Sequence, residues 1–352
     1  MAPATDTETG DVSINARQET PHDAESERDG ETNTPIEFRP QIIEEMIRES
    51  PNLNDWTELY SRIEVINDMA SLGLGLPLDA ELSPTVQRDI ANEAISAYSH
   101  AMGLWTFFGV DDVNVTWTLM SEDDYDWWVE RVRTIEGDHP ALDVWVEGPN
   151  LLGHCYLNAY SFCGYGNTQS VLGTSFQYNV IGSKYRGSGS LGRSNTVLHE
   201  SVHFYQASLS EDLRSVTPCW FEEGQATLIG NAASGYPGGF SYGAKNELNR
   251  FGQKLRGDST WTVSEWKELF DSYVADGQAR DECLQSGVGY TTGAAAFEYL
   301  YMNFSMWQIH EVTLRALETG SWELAVPEVL GITSEELNSR LSGYMVEILA
   351  EK

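Results

Sequence analysis

The sequence predicts an α+β protein: a small mixed sheet and one helix carrying the chemistry, followed by a mainly helical C-terminal part. Three observations lead there. Residues 113–120 (VNVTWTLM) and 175–181 (SFQYNVI) alternate with the period of two that strands require. Long stretches on either side repeat their apolar residues every three or four positions, as a helix packed on one face does. The 352 residues, 41% of them hydrophobic, suffice for a large core in one or two domains.

Residues 1–36 hold no aromatic residue, no leucine, and nine acids against two bases. Such a segment cannot bury enough apolar surface to offset its ordering entropy, so a disordered acidic tail is expected, with His22 an exposed histidine. Residues 37–110 read as an N-terminal helical segment. Amphipathic repeats cover 38–47 and 56–72, and Gly73-Leu74-Gly75-Leu76-Pro77 ends the second. A long helix is then expected from Ser83-Pro84, because serine caps and proline suits the first turn. His100 inside it reads as a core or surface histidine.

Residues 111–210 form the α+β part. The expected order is strand 113–120, helix 122–134, strand 141–146, a loop rich in Gly, Asn and Tyr over 147–170, and strand 175–181. The aromatics between Trp105 and Trp128 read as core packing. Residues 211–352 read as mainly helical, with a Gly-rich loop over 232–242 and helices over 245–255, 263–274 and 292–304. Two more helices follow Ser321, the last opened by a capping box of Thr333 and Glu336. His139 and His310 have no evident partner in the sequence.

The helix expected around residues 195–209 contains His199-Glu200-Ser201-Val202-His203, an H-E-x-x-H pattern. Residues four apart share a helical face, so the two imidazoles can grip one zinc ion. Glu200 lies beside that face, where a carboxylate can take a proton from water. Leu198, Val202, Tyr205 and Leu209 make an apolar stripe that supports the helix independently of the motif. Downstream, Trp220-Phe221-Glu222-Glu223-Gly224-Gln225-Ala226 offers two carboxylates. They lie about 100° apart on a helix, so only one can face the metal.

Together these motifs resemble the gluzincin metallopeptidases, the group that contains thermolysin and the zinc aminopeptidases, over residues 85–350. The resemblance implies a gluzincin-like catalytic domain with one Zn2+ per chain, held by His199, His203 and Glu223. It implies peptide-bond hydrolysis by a zinc-activated water, with Glu200 as general base. The 20 positions from His203 to Glu223 match the thermolysin spacing, whereas Glu222 fits the aminopeptidase spacing. Gly224 favours Glu223, since a glycine there lets the two motif helices approach closely.

In the family an edge strand just before the zinc helix pairs with the substrate backbone, and residues 175–181 stand in that place. Tyr290 in Tyr290-Thr291-Thr292-Gly293 resembles the tyrosine that stabilises the oxyanion in zinc aminopeptidases, with Thr292 where a lysine is usual. The aminopeptidase signature G-x-M-E-N is missing. The rival reading is a catalytically inactive, zinc-containing, peptidase-like binding protein. Glu200 argues against it, because a purely structural site has no use for that carboxylate.

The net charge of −33 repels nucleic acid and anionic membrane and attracts cationic substrates, although solubility in a salty medium is the plainer reading. No apolar run is long enough to span a membrane, so the expected partner is a peptide or protein substrate. No secretory hydrophobic region stands near the N-terminus, which leaves a cytoplasmic protein or a chain shown without its signal. The four cysteines contain no C-x-x-C pair. They allow Cys219–Cys283 and Cys155–Cys163 disulfides, and so an extracellular or cell-surface setting, against four buried thiols. His154 is a candidate substrate contact. Residues 187–192 spell G-x-G-x-x-G, but no second apolar strand follows, so a loop lining the cleft is expected rather than a dinucleotide site.

Overall fold

The computed structural model describes residues 39–73, 75–76, 80–111, 115–136, 162–171, 174–181, 194–210, 212–234, 261–272 and 288–350. The chain divides into Met1–Pro35 and Ile36–Lys352. The first unit, where the acidic tail is expected, lies outside the described residues. So do the strand expected over 141–146, the glycine motif over 187–192, the helix over 245–255, and His139 and His154.

The second unit is mostly helical with a small sheet. Helices α1 (Pro40–Arg48), α2 (Trp56–Ser71) and α3 (Arg88–Ala101) precede strand β2 (Val115–Ser121), with the short strand β1 (Ala80–Leu82) between α2 and α3. Helix α4 (Tyr125–Glu136) and strands β3 (Phe162–Val171) and β4 (Thr174–Ile181) follow. The helices α5 (Asn195–Leu209), α6 (Leu213–Val216), α7 (Cys219–Ala233) and α8 (Val263–Ser272) come next. Then come α9 (Val288–Asn303), α10 (Met306–Thr319), α11 (Trp322–Leu330) and α12 (Ser334–Ala350).

The sheet order is β1-β2-β4-β3. β1, β2 and β4 run parallel, with Leu82 opposite Leu119 and Leu119 opposite Asn179. β3 runs antiparallel to β4, with Gly164 opposite Asn179. This corrects two expectations. Residues 175–181 are an inner strand, not an edge, and residues 162–170 are not loop but most of the outer strand. The glycines and asparagine of β3 hide its period; pairing with β4, not side-chain pattern, makes it a strand.

A third correction concerns Ser83-Pro84, which does not start a helix: α3 begins at Arg88. Ser83 instead donates to Asp124, which also accepts from the Thr85 amide at 2.8 Å and its hydroxyl at 2.9 Å. These bonds tie the turn after β1 to the end of β2 and hold the Asp124 carboxyl below its usual range despite partial burial. Helix α10 is not expected from the apolar pattern, yet its start is written in Ser305 and Gln308, which form a reciprocal capping box.

One apolar core runs from α1 to α12. Trp105 stacks on Tyr205 of α5 with centroids 4.2 Å apart, so the aromatics before β2 are indeed core. His310 has a partner after all: the Tyr205 hydroxyl sits 2.7 Å from its Nδ1. Burial pulls the His310 pKa down to about 4, which favours the neutral ring.

Helix α7 occupies the centre, with every residue buried except Glu223 and Asn231. Trp220 meets Phe270 of α8, Phe297 of α9 and Trp322 of α11 edge to face. Its two flanking helices approach to backbone contact. A Cβ on Gly224 would lie 2.4 Å from the Gly293 carbonyl carbon, and one on Gly293 would lie 2.3 Å from the Trp220 oxygen. On the other side, a Cβ on Gly230 would meet His199 Cβ at 3.0 Å. The close approach to α5 is therefore made by Gly230; Gly224 packs against α9, contrary to expectation. Among the described residues, no helix is long and apolar enough to cross a membrane.

These contacts set opposite signs for two Gly→Ala changes. In Gly293→Ala the methyl meets backbone that cannot rotate away, and the helices must part, at about 1–3 kcal/mol or more. In Gly343→Ala, on α12, the methyl meets nothing within 4 Å, and helix propensity gives a gain of about 0.5–1 kcal/mol. Denaturant titration of the two variants measures both; equal effects would remove the contact argument.

Candidate metal centre

The H-E-x-x-H residues lie on α5, as the motif requires. Val197, Leu198, Val202 and Tyr205 are buried and fix which way the helix faces. The ring nitrogens His199 Nε2 and His203 Nε2 are 3.2 Å apart. Glu223, reaching over from α7, puts Oε2 at 3.3 Å from the first and 3.4 Å from the second. The three residues form a group that could hold a metal ion.

Two observations test the fit. Four ligands at about 2.0–2.1 Å around a tetrahedral zinc stand about 3.3 Å from one another, and the three donors here already form a triangle with edges of that length. Second, Glu223 Oε2 is buried yet has no hydrogen-bond partner among the described residues, so neither imidazole offers it a well-aligned N–H. The donor set suits zinc chemically: two imidazoles and one carboxylate leave a fourth position open.

The electrostatics point the same way. Burial pushes the Glu223 carboxyl up, but the positive charge of His203 and the approach of both imidazoles outweigh it and hold the group well below the usual carboxylate range. Burial pulls His203 down, but Glu223 more than offsets this and raises it to about 9. The negative charge of Glu223 thus favours positive charge on the imidazole beside it. Glu200 is 6% exposed, and one of its oxygens has no hydrogen-bond partner among the described residues. Burial raises its carboxyl, against the two histidines, while Glu223 adds to the rise.

Glu222 faces elsewhere. Its Oε2 accepts from Arg214 Nε at 2.8 Å. Of the two carboxylates, only Glu223 joins the histidines. Tyr290 lies in the first turn of α9, which begins earlier than its sequence pattern implies. Its ring runs parallel to that of His199, with centroids 6.2 Å apart and planes 10° apart, and it is 39% exposed. The structure thus gathers His199, Glu200, His203, Glu223 and Tyr290 in one place.

Sequence reasoning missed Gln206, whose Oε1 accepts from His203 Nδ1 at 2.8 Å. The signal was available, because a glutamine three positions after the second histidine of the motif shares its helical face. Cys219, at the start of α7, is disulfide-bonded, and no cysteine among the described residues is free. Its expected partner Cys283, like Cys155, lies outside the described residues. Comparison with family models, curated proteins and solved structures finds no match to this chain.

The two glutamates give a direct test. Glu223→Ala is expected to abolish metal binding, and Glu222→Ala to retain it. Elemental analysis of both purified variants reads the result, and the reverse pattern would transfer the ligand role to Glu222.

Proposed function

We propose that the chain is a zinc-dependent metallopeptidase of gluzincin-like architecture. The observation that carries this reading is the triangle of His199, His203 and Glu223, at tetrahedral spacing, with a buried carboxylate on the residue after His199. Zinc, when bound, lowers the pKa of water and polarises a carbonyl oxygen.

The side chains supply the rest. Glu200 accepts a proton from the attacking water as its oxygen adds to the peptide carbonyl carbon, then delivers that proton to the amide nitrogen as the C–N bond breaks. Burial suits it to both tasks, because a raised carboxyl pKa makes it a better base at neutral pH. Tyr290 would donate a hydrogen bond to the developing oxyanion, a role supported by its partly exposed ring lying parallel to that of His199. Among the described residues β3 has a neighbour on one side only and packs beside α5. Its outer backbone groups suit an extended peptide that adds as a further strand. The disulfide at Cys219 supports an oxidising compartment, extracellular or at the cell surface.

Glu200→Gln keeps the shape and removes the base. Zinc content is expected to stay at the wild-type level while turnover of a peptide library, read by mass spectrometry, falls by at least about 10²-fold. Retained turnover would place the base elsewhere and favour a different assignment.

Tyr290→Phe removes one hydroxyl and leaves the ring over His199. Metal content, fold and KM are expected to hold, with kcat down about 10²–10³-fold. A loss expressed in KM alone would make Tyr290 a substrate contact rather than an oxyanion donor.

A further inference from the structure

Gln206 lies nearly one turn beyond His203 on α5 and is 1% exposed. Besides accepting from His203 Nδ1, its amide donates from Nε2 to the Glu222 carbonyl at 3.1 Å and to Gln225 Oε1 at 2.9 Å. Gln225 donates onward to the Tyr301 hydroxyl at 2.8 Å. The orientation of the Gln206 amide is not arbitrary. A backbone carbonyl only accepts, so it must face the NH2 group, and the oxygen is left for His203. An amide oxygen also only accepts, so His203 carries its proton on Nδ1. Its Nε2 is then the nitrogen that faces His199 Nε2 and Glu223 Oε2, as observed.

We propose that Gln206 is a positioning residue of the metal centre. One neutral amide fixes the tautomer and ring orientation of His203 and, through the Glu222 carbonyl, the backbone immediately before Glu223. It therefore sets two of the three donors at once, each on a different helix. The inference rests on the reading of His199, His203 and Glu223 as metal ligands. Partners of this kind are commonly worth about 10–100-fold in metal affinity. A carboxylate in its place would still accept from His203, but it would turn an oxygen toward the Glu222 carbonyl and Gln225 Oε1, where two donors now stand.

The test measures zinc affinity by chelator competition for the full chain, Gln206→Leu and Gln206→Glu. Long-range proton–nitrogen spectra of histidine-labelled protein read the tautomer of His203. The wild type is expected to bind zinc with His203 protonated at Nδ1. Gln206→Leu is expected to bind about 10–100-fold more weakly, with that tautomer preference lost. Gln206→Glu, which keeps the acceptor, is expected to retain the tautomer and bind more tightly than Gln206→Leu. A loss of packing alone would not move the tautomer. The spectrum of the zinc-bound wild type requires no variant, so a His203 that binds the metal through Nδ1 and carries its proton on Nε2 overturns the proposal even if Gln206→Leu fails to fold. If the wild type binds zinc and Gln206→Leu binds it equally well, the proposal fails alone. If the wild type binds no zinc, the metal reading fails and takes the proposal with it.

Discussion

Helix α7 is covered on every side, and at two points its cover is backbone. Gly230 meets α5 at His199, and Gly224 meets α9 at Gly293. Each of these contacts lies within about one turn of a site side chain. His199 is itself in the Gly230 contact, Glu223 directly precedes Gly224, and Tyr290 stands three positions before Gly293. The relative placement of the three helices is thus set by the closest approach that polypeptide backbones allow. Rotamers of flexible side chains then have little freedom to spoil it, since the site side chains leave their helices beside fixed points. The glycine after Glu223 and the glycine three after Tyr290 have one common cause, the α7–α9 crossing, although they are 69 positions apart (293 − 224).

What such packing brings together is costly. Three carboxylates, Glu200, Glu222 and Glu223, lie in or beside a buried region. Buried charge is tolerated only when paired or bound to a cation. Glu222 is paired with Arg214. Glu223 has two histidines at ion-pair distance but no aligned hydrogen bond. Glu200 keeps an oxygen with no hydrogen-bond partner among the described residues. A structural network would close such gaps, because each open one costs about 1–3 kcal/mol. Among the described residues these gaps stay open beside the one group of His199, His203 and Glu223 whose donor atoms could hold a metal ion.

The chemistry-bearing helices were legible in the sequence because their signals are local. H-E-x-x-H needs only the helical repeat to place both imidazoles, and Leu198, Val202 and Tyr205 state which face is inside. Angular separation says that only one of Glu222 and Glu223 can face the histidines, and the thermolysin-like spacing points to Glu223, but the further reason does not hold: Gly224 serves α9, and only the structure says which neighbour a glycine admits. The sheet was less legible. β4 shows clean alternation and was taken for the edge, whereas β3, with its glycines, reads as loop. Strand order is a long-range property that neither pattern encodes. The Ser83-Pro84 turn misled for the same reason. Its capping chemistry is real, but the group it engages is Asp124, some 40 residues away. Gln206 and Gln225 carry no motif, and their roles appear only when α5 and α7 are packed together.

The strong acidity of the chain and the acids of the site answer to different physics. Surface carboxylates on α8 and α12, such as Asp271 beside Lys267 and Glu336 beside Arg340, are half-exposed. Pairs like these are worth a few tenths of a kcal/mol and are screened within about 8 Å at physiological salt. They add to a net charge of −33 without shaping any single site. The interior uses its charges sparingly. Around His203 the supporting groups are amides, Gln206 and Gln225, and the second glutamate is neutralised by an arginine. A further buried carboxylate would have to be desolvated beside two others already present, at a cost no surface ion pair repays. Salt therefore mutes the long-range field of the surface, while the buried cluster on α5 and α7 keeps its local balance of two imidazoles against its glutamates.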